Sequence, residues 1–164
     1  MHLQSSEVKA MNEGGICEPV LTPVNGNSLA GILFSGDEVP IYPITCRTPQ
    51  KQDLLVFRTE IGGTKYIKQI WGLPGSTLTI VDKNRVDIDG ARVRVPDGRD
   101  LRLTRLQRMT VGDIEGRLEG YYVIGVPGSL DSNQFGVVPT AMVIGSVPKA
   151  DVPRLNTGQG QPEK

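Results

Sequence analysis

The chain has 164 residues, and its 18 basic and 18 acidic side chains cancel to a formal net charge of zero. This length suits one domain with a core of its own. The balanced charge gives no overall field that would draw the protein to nucleic acid, so we predict no nucleic-acid partner. The sequence contains no run of 18 apolar residues, and residues 1–15 have neither signal-peptide nor membrane-span character.

Glycine and proline set the expected fold class. The chain has 20 glycines and 12 prolines between short Val/Ile/Leu runs, a composition typical of strands and turns. We therefore predict a mainly antiparallel β fold, curled or barrel-like, with at most one or two short helices. We divide the chain into a disordered lead-in (1–15), one folded domain (16–148) and a polar tail (149–164).

Alternating apolar and polar residues predict strands along the first half of the chain. Pro19 and Pro23 favour an edge position for the first strand, because proline cannot donate a ladder hydrogen bond. The predicted elements are a strand in 16–24, a second in 38–44, a hairpin of 53–58 with 65–70, and a hairpin of 77–81 with 85–90 that turns at 82–84 and continues into 91–95.

The second half of the chain contains the one helical pattern. Leu103, Leu106 and Met109 recur at helical spacing, which predicts a short helix within 101–118. The remaining predicted elements are a buried strand at 121–126, a loop at 129–135 and closing strands at 137–138 and 141–147.

Ser28 is the first candidate for chemistry. It lies between the turn-forming residues Gly26 and Asn27 and an apolar patch that begins at Leu29, an arrangement that presents a hydroxyl group. A serine nucleophile needs a base, and the one histidine, His2, lies in a polar terminus. A Ser-His pair is therefore excluded, although a serine in such a turn is by itself ordinary turn chemistry.

Lys68 is the candidate base. It lies between Ile67 and Ile70 in a predicted strand that runs into a Gly-Leu-Pro-Gly turn. A lysine in apolar surroundings can be desolvated and therefore neutral. Taken alone, a strand lysine more often lies on a solvated face, and Lys65 is a rival three positions away.

Three groups of residues, taken together, resemble the successive boxes of type I signal peptidases. The last group is most similar to the conjugative-transfer (TraF-like) branch, which processes pilin precursors. The groups are Gly26-Asn27-Ser28-Leu29 with Ser35-Gly36-Asp37; Tyr66-Ile67-Lys68-Gln69 with Gly72-Leu73-Pro74-Gly75; and Ser129-Leu130-Asp131-Ser132 with Phe135-Gly136 and Pro139.

The resemblance implies a serine endopeptidase with a Ser28/Lys68 dyad that needs no cofactor or metal. In this reading the Ser28 backbone N–H and the Gly26 turn stabilise the oxyanion. The other implied roles are orientation of the lysine amine by Ser129, support by Asp131, and a substrate pocket walled by Leu29 and Ile67.

The resemblance also implies a partner and a location. The partner would be an exported, pilin-type precursor, cut after a small residue with another small residue two positions earlier. The location would be the periplasmic side of the bacterial inner membrane. The family usually carries a membrane anchor before the serine, so contact with the membrane would be through a segment absent from this chain, or the protein is a soluble relative.

The two cysteines form no metal site in this reading. Cys17 and Cys46 lack metal-ligand spacing and a histidine partner. They are free, or they are bridged if the compartment is oxidising, in which case the bridge would join the segment before Ser28 to the segment after it.

Two alternatives to a signal peptidase stay open. A LexA-type self-cleaving domain also uses a Ser-Lys dyad, but it would need a DNA-binding domain that 27 polar residues before Ser28 cannot supply.

A non-catalytic relative could bind partners in a pilus or secretion assembly. Three departures from the family pattern favour that possibility: Leu29-Ala30-Gly31 after the serine, Gln69 in place of an arginine, and Asn133 in place of another.

Overall fold

Two antiparallel sheets form the framework of the protein in a computed structural model that describes residues 17–27, 29–60 and 63–152. Residues 1–15 and most of the predicted tail lie outside the described residues, as does Ser28. The strands are β1 (Val20–Pro23), β2 (Glu38–Pro43), β3 (Leu54–Arg58), β4 (Lys65–Gly72), β5 (Thr77–Val81), β6 (Arg85–Ile88), β7 (Ala91–Arg92), β8 (Gly116–Arg117), β9 (Tyr122–Ile124) and β10 (Val143–Val147).

The strand order explains which edges stay free. The larger sheet runs β1-β2-β10-β3-β4-β9 and the smaller one β7-β6-β5-β8. Both predicted hairpins are confirmed as the antiparallel pairs β3/β4 and β5/β6. β1 is an edge strand, as its prolines indicate. The predicted mainly antiparallel β fold is confirmed, and within the described residues neither sheet closes into a barrel.

The core consists of three apolar clusters that cover the faces of these sheets. One cluster joins Leu29 and Leu33, which follow β1, to Leu54 of β3, Val147 of β10 and Val152 near the end of the described chain. Val152 is fully buried. The described chain therefore packs against the domain as far as residue 152.

The predicted helix is confirmed as α1 (Arg105–Gly112), but the apolar face assigned to it is wrong. Leu106 and Met109 are 76% and 65% exposed, whereas Val111 is buried. A capping box between Thr104 and Gln107 begins the helix, so local hydrogen bonds rather than an apolar stripe define its start. In the described chain no helix combines the length and apolar character needed to cross a membrane.

The predicted loop at 129–135 is corrected in its second half, where Ser132–Phe135 forms a short helix, α2. Asp131 is its N-cap and accepts a hydrogen bond from the backbone N–H of Asn133, while the Gln134 side chain accepts one from the N–H of Asp131. This reciprocal pattern satisfies donors that a helix start leaves free. The closing strand is β10 alone, because Thr140–Met142 forms a 3₁₀ turn before it.

Gly145 allows β10 to pass between β2 and β3. A Cβ atom at this position would collide with the backbone carbonyl oxygen of Tyr42. The register with β3 also shifts between Val143 and Gly145, which is a bulge of the kind that bends a strand. Any larger residue at 145 would separate the two halves of the larger sheet.

Cys17 and Cys46 are joined by a disulfide, with their Cα atoms 5.7 Å apart. The bridge links the segment before β1 to the turn after β2. It therefore closes a loop that contains the Ser28 segment and pins both of its ends.

Replacing both cysteines by serine should lower the free energy of unfolding by about 3 kcal/mol, because the bridge closes a loop of 29 residues and so restricts the unfolded chain. Thermal unfolding with and without reductant measures this. The serine variant should be insensitive to reductant, and a wild-type midpoint that does not fall on reduction would contradict a stabilising bridge.

Candidate active site

Lys68 lies in the middle of β4, beside β3 and one residue before the pairing with β9 begins. It is paired with Leu55 of β3, and the next residue, Gln69, is paired with Ile124 of β9. The Lys68 residue is 3% exposed, whereas the rival Lys65 is exposed at the start of the same strand. Burial therefore distinguishes the two lysines and selects Lys68 as the candidate base.

Burial changes the acid-base chemistry of Lys68. Desolvation lowers the pKa of its amine from the usual value, and the nearby carboxylate of Asp131 partly opposes this by raising it. The net result is a lowered pKa, because the desolvation contribution is larger than that of Asp131. A larger fraction of the amine is therefore neutral, and able to accept a proton, than in a solvated lysine.

Asp131 is the charged group whose electrostatic interaction raises the pKa of this amine. It is 4% exposed, and its oxygens accept hydrogen bonds from the backbone N–H groups of Gly125, at 3.0 Å, and Asn133, at 3.0 Å. Desolvation raises the pKa of Asp131 to about 6, although these N–H groups and Lys68 lower it. Asp131 and Lys68 are thus electrostatically coupled inside the protein.

Residues that follow Asp131 attach α2 to β9. The Ser132 hydroxyl oxygen accepts a hydrogen bond from the Val123 N–H at 2.9 Å, and the Tyr122 hydroxyl group donates to the Asn133 side-chain oxygen at 2.6 Å. Neither Ser132 nor Tyr122 has a role predicted from the sequence. The available signal was Asn133, an amide where the family has an arginine, which pointed to a polar partner nearby.

Ser129 is held by its own turn. Its hydroxyl group donates a hydrogen bond to the Val126 carbonyl at 2.7 Å, and the side chain is half-buried. The predicted role of Ser129 in orienting the lysine amine stays a prediction.

The segment around position 28 is anchored on both sides. Gly26 has φ +92°, a left-handed conformation that glycine adopts without strain. Leu29 is 2% exposed and lies in the core cluster against which Ile67 also packs. Asp37 accepts a hydrogen bond from the Phe34 N–H at 2.8 Å, which closes the end of the loop.

A groove of about 270 Å³ runs between the end of β1 and the start of β4. Ile67 lines the groove, whereas Leu29 lies in the core beside it. β9 pairs with β4 from Gln69 onward, so among the described strands β4 has one free edge from Lys65 to Lys68. The groove is lined by Thr22, Pro23, Val24, Asn25, Val39, Ile41, Val56, Lys65, Tyr66, Ile67 and Ile144.

Comparisons with known proteins point to one family. The family described as "Signal peptidase, peptidase S26" matches residues 16–149 of this chain. A solved signal peptidase I from Enterococcus faecalis V583 is 23% identical, with a TM-score of 0.40; the match covers 62% of this chain and 98% of that one. None of the curated proteins matches the chain.

Replacing Asp131 with Asn should change how stability depends on pH. The folded-state pKa of about 6 lies above the unfolded value near 3.9. The stability that this carboxyl contributes is therefore present below about pH 4 and is lost as pH rises through 6. Relative to wild type, the variant should gain roughly 2 kcal/mol between pH 4 and pH 7.5.

Urea unfolding of both proteins at these two pH values measures the difference. The exposed Asp113→Asn substitution controls for removal of a carboxylate as such. The Asp131→Asn protein also loses an acceptor for the Gly125 N–H, but that loss is the same at both pH values. A variant-to-wild-type difference that does not change with pH would contradict a raised pKa.

Proposed function

As the chain belongs to the peptidase S26 signal peptidase family, we propose that it is a serine endopeptidase with Ser28 as nucleophile and Lys68 as general base. Its substrates in this proposal are the signal or leader segments of exported precursors. The observation that carries the proposal is the burial of the Lys68 amine, which lowers its pKa.

The lowered pKa matters because an ordinary lysine cannot act as a base at neutral pH. A pKa near 10.4 leaves about one amine in several thousand unprotonated at pH 7. Each factor of ten in the neutral fraction corresponds to about 1.4 kcal/mol. Desolvation lowers the pKa of Lys68 and so raises its neutral fraction, whereas Lys65 is exposed on the same strand.

Contacts on either side of the dyad support its assembly. Leu29 follows Ser28 in the chain and Ile67 precedes Lys68, and both pack in the same apolar cluster. The segments that carry the two proposed catalytic residues therefore meet in the core.

The proposed reaction follows the logic of a serine protease with lysine in place of histidine. The Ser28 hydroxyl oxygen attacks the peptide carbonyl carbon as its proton moves to the neutral Lys68 amine. The Ser28 N–H stabilises the oxyanion, with the Gly26 turn shaping the approach. Lys68 then gives the proton to the leaving amine, and water, deprotonated by Lys68, releases the acyl group from Ser28.

The groove supplies a binding mode for the substrate. The free edges of β1 and β4 bound the groove, so an extended peptide can pair with strand backbone. Alternate side chains of such a peptide point to the same face. The first and third residues before the cut would therefore enter the apolar part of the groove beside Ile67. A pilin-type precursor on the periplasmic side of the membrane belongs to this proposal.

Replacing Lys68 with Met or Ser28 with Ala should each abolish peptide cleavage, because one removes the base and the other the nucleophile. Met keeps the apolar stem of lysine and fills the buried site, so the thermal midpoint should not fall by more than a few degrees. A fluorogenic Ala-x-Ala peptide measures turnover, and Lys83→Met, at an exposed turn, is the matched control with full activity.

In the wild type the rate should rise with pH through the lowered pKa of Lys68, since the unprotonated amine is the base. A rate that stays flat down to pH 5 would mean that no lysine base operates.

A serine-directed acylating probe that labels the wild type but not Ser28→Ala would separate the enzyme from a non-catalytic relative.

Phe in place of Ala before the cut should lower kcat/KM about ten- to hundredfold, because overpacking the groove costs roughly 1 to 3 kcal/mol. Ile67→Ala should reduce this discrimination, since it enlarges the groove. Ile80→Ala truncates another half-buried isoleucine, in the smaller sheet, and should leave the discrimination intact. Equal cleavage of the Ala and Phe peptides by the wild type would reject the groove as the binding site.

A further inference from the structure

A second cavity, of about 580 Å³, lies between the loop that follows β9 and the smaller sheet. Gly125, Ser129 and Asp131 line it from the loop side. Arg85, Arg99 and Arg102 line it from the other side. We call it the arginine cavity.

The arginine cavity adjoins the proposed reaction centre. Gly125 directly follows Ile124, which pairs with Gln69, the residue after Lys68. Asp131 lines the cavity and also acts electrostatically on the Lys68 amine. The apolar groove, in contrast, reaches β4 through Lys65, Tyr66 and Ile67, before Lys68. The groove therefore contacts β4 just before Lys68, and the cavity is linked to Lys68 through Asp131.

Their linings differ in chemical character. The groove is walled mainly by aliphatic residues, whereas the cavity has three arginines and the N-terminal cap of α1, Thr104. The first backbone N–H groups of a helix and its dipole favour negative charge at that end. The cavity is therefore suited to a polar, anionic group rather than to an apolar one.

Two of the arginines have donor capacity left for a ligand. Arg102 is exposed and makes no ion pair with any residue in 17–27, 29–60 or 63–152. The Nε atom of Arg85 is buried without a hydrogen-bond partner in that same part of the chain, and Asp100 lies 3.9 Å from it.

Acidic residues of the protein itself only partly neutralise this site. Asp100 is shared among Arg85, Arg92 and Arg94 at 3.6 to 3.9 Å. The oxygens of Asp131 are occupied by backbone N–H groups. Arg102 is thus the cation with the fewest competing partners.

We propose that the arginine cavity binds the substrate segment downstream of the cut and favours an acidic side chain there. This inference rests on the proposed function, since it assigns a specificity subsite to the same reaction. In this proposal an extended peptide bound in the apolar groove runs past Lys68 toward the cavity, which Asp131 lines. Arg102 is the specificity-determining residue, because it can pair with a substrate carboxylate.

The position of the acidic residue should matter. A carboxylate immediately after the cut would lie near Lys68, where negative charge stabilises the protonated amine, as Asp131 already does. The gain is therefore expected when the acidic residue lies further downstream, beside Arg102, and no gain is expected directly after the cut.

The experiment uses the full chain and an Ala-x-Ala peptide with five residues after the cut, in which one Glu is moved through those positions. The same peptides with Gln are the neutral reference. We expect a kcat/KM ratio of Glu to Gln of about two to five at the best downstream position at low salt. This ratio should fall toward one at about 0.5 M salt, which screens the ion pair.

Arg102→Gln should bring the ratio close to one, and Arg102→Lys should restore most of it by keeping the charge. Arg105→Gln removes an exposed arginine three residues away that does not line the cavity, and it should leave the ratio unchanged. This difference between neighbouring arginines separates a subsite from a general charge effect.

Two failures are distinguishable. If Glu and Gln peptides are cleaved at the same rate at every position, the subsite is wrong and the proposed peptidase function stands. If neither peptide is cleaved although Ser28 is intact, the proposed function itself is overturned, and the subsite with it.

Discussion

The proposed chemistry depends on a fold that keeps one lysine amine away from water. Lys68 is 3% exposed and is paired with β3, one residue before β9 joins β4, and apolar clusters pack on the larger sheet around it. Burying an amine is unfavourable unless it becomes neutral or gains a partner. Here the unfavourable term lowers the pKa of the amine, which is the property that a lysine base requires. The surrounding strands supply the apolar burial that offsets this local cost.

Asp131 limits how far burial lowers the pKa of Lys68. Its carboxylate raises the pKa of Lys68 and links the amine to α2 and β9 through the N–H groups of Asn133 and Gly125. In the family pattern an arginine pairs with this aspartate, and Asn133 stands in its place. The structure satisfies the aspartate with backbone donors, and Asn133 binds the Tyr122 hydroxyl group instead. The substitution therefore leaves no broken ion pair in the core, although a backbone N–H neutralises less charge than an arginine would.

Local patterns were sufficient to predict the hairpins, because strand alternation acts over a few residues. The choice of Lys68 over Lys65 came from the family resemblance of the residues around Lys68, and its role as a base stays a prediction. The helix α1 was predicted for the wrong reason, since Leu106 and Met109 point to solvent and the Thr104 capping box sets the start. The same kind of capping signal is present at Asp131 and Gln134, where the sequence analysis predicts a loop and the structure has α2. The disulfide and the arginine cavity could not be derived, because each depends on distances between segments far apart in the sequence. Ser28 lies outside the described residues, and its role stays a prediction from family resemblance.

The apolar groove and the arginine cavity differ in the charge they bring near Lys68, and the fold keeps the two apart. An apolar groove before Lys68 is compatible with a desolvated amine, because it introduces no charge near β4 beyond the exposed Lys65. Arginines placed equally close would repel the protonated form of Lys68 and lower its pKa further, whereas carboxylates would raise it. In the cavity Asp131 stands on the loop side and the arginines stand on the side of the smaller sheet. Arg85 lies in β6, and Arg99 and Arg102 lie in the segment between β7 and α1. The charged residues that could recognise a substrate are thus carried by segments other than the strand that holds Lys68, so they can vary without disturbing the burial that sets its pKa.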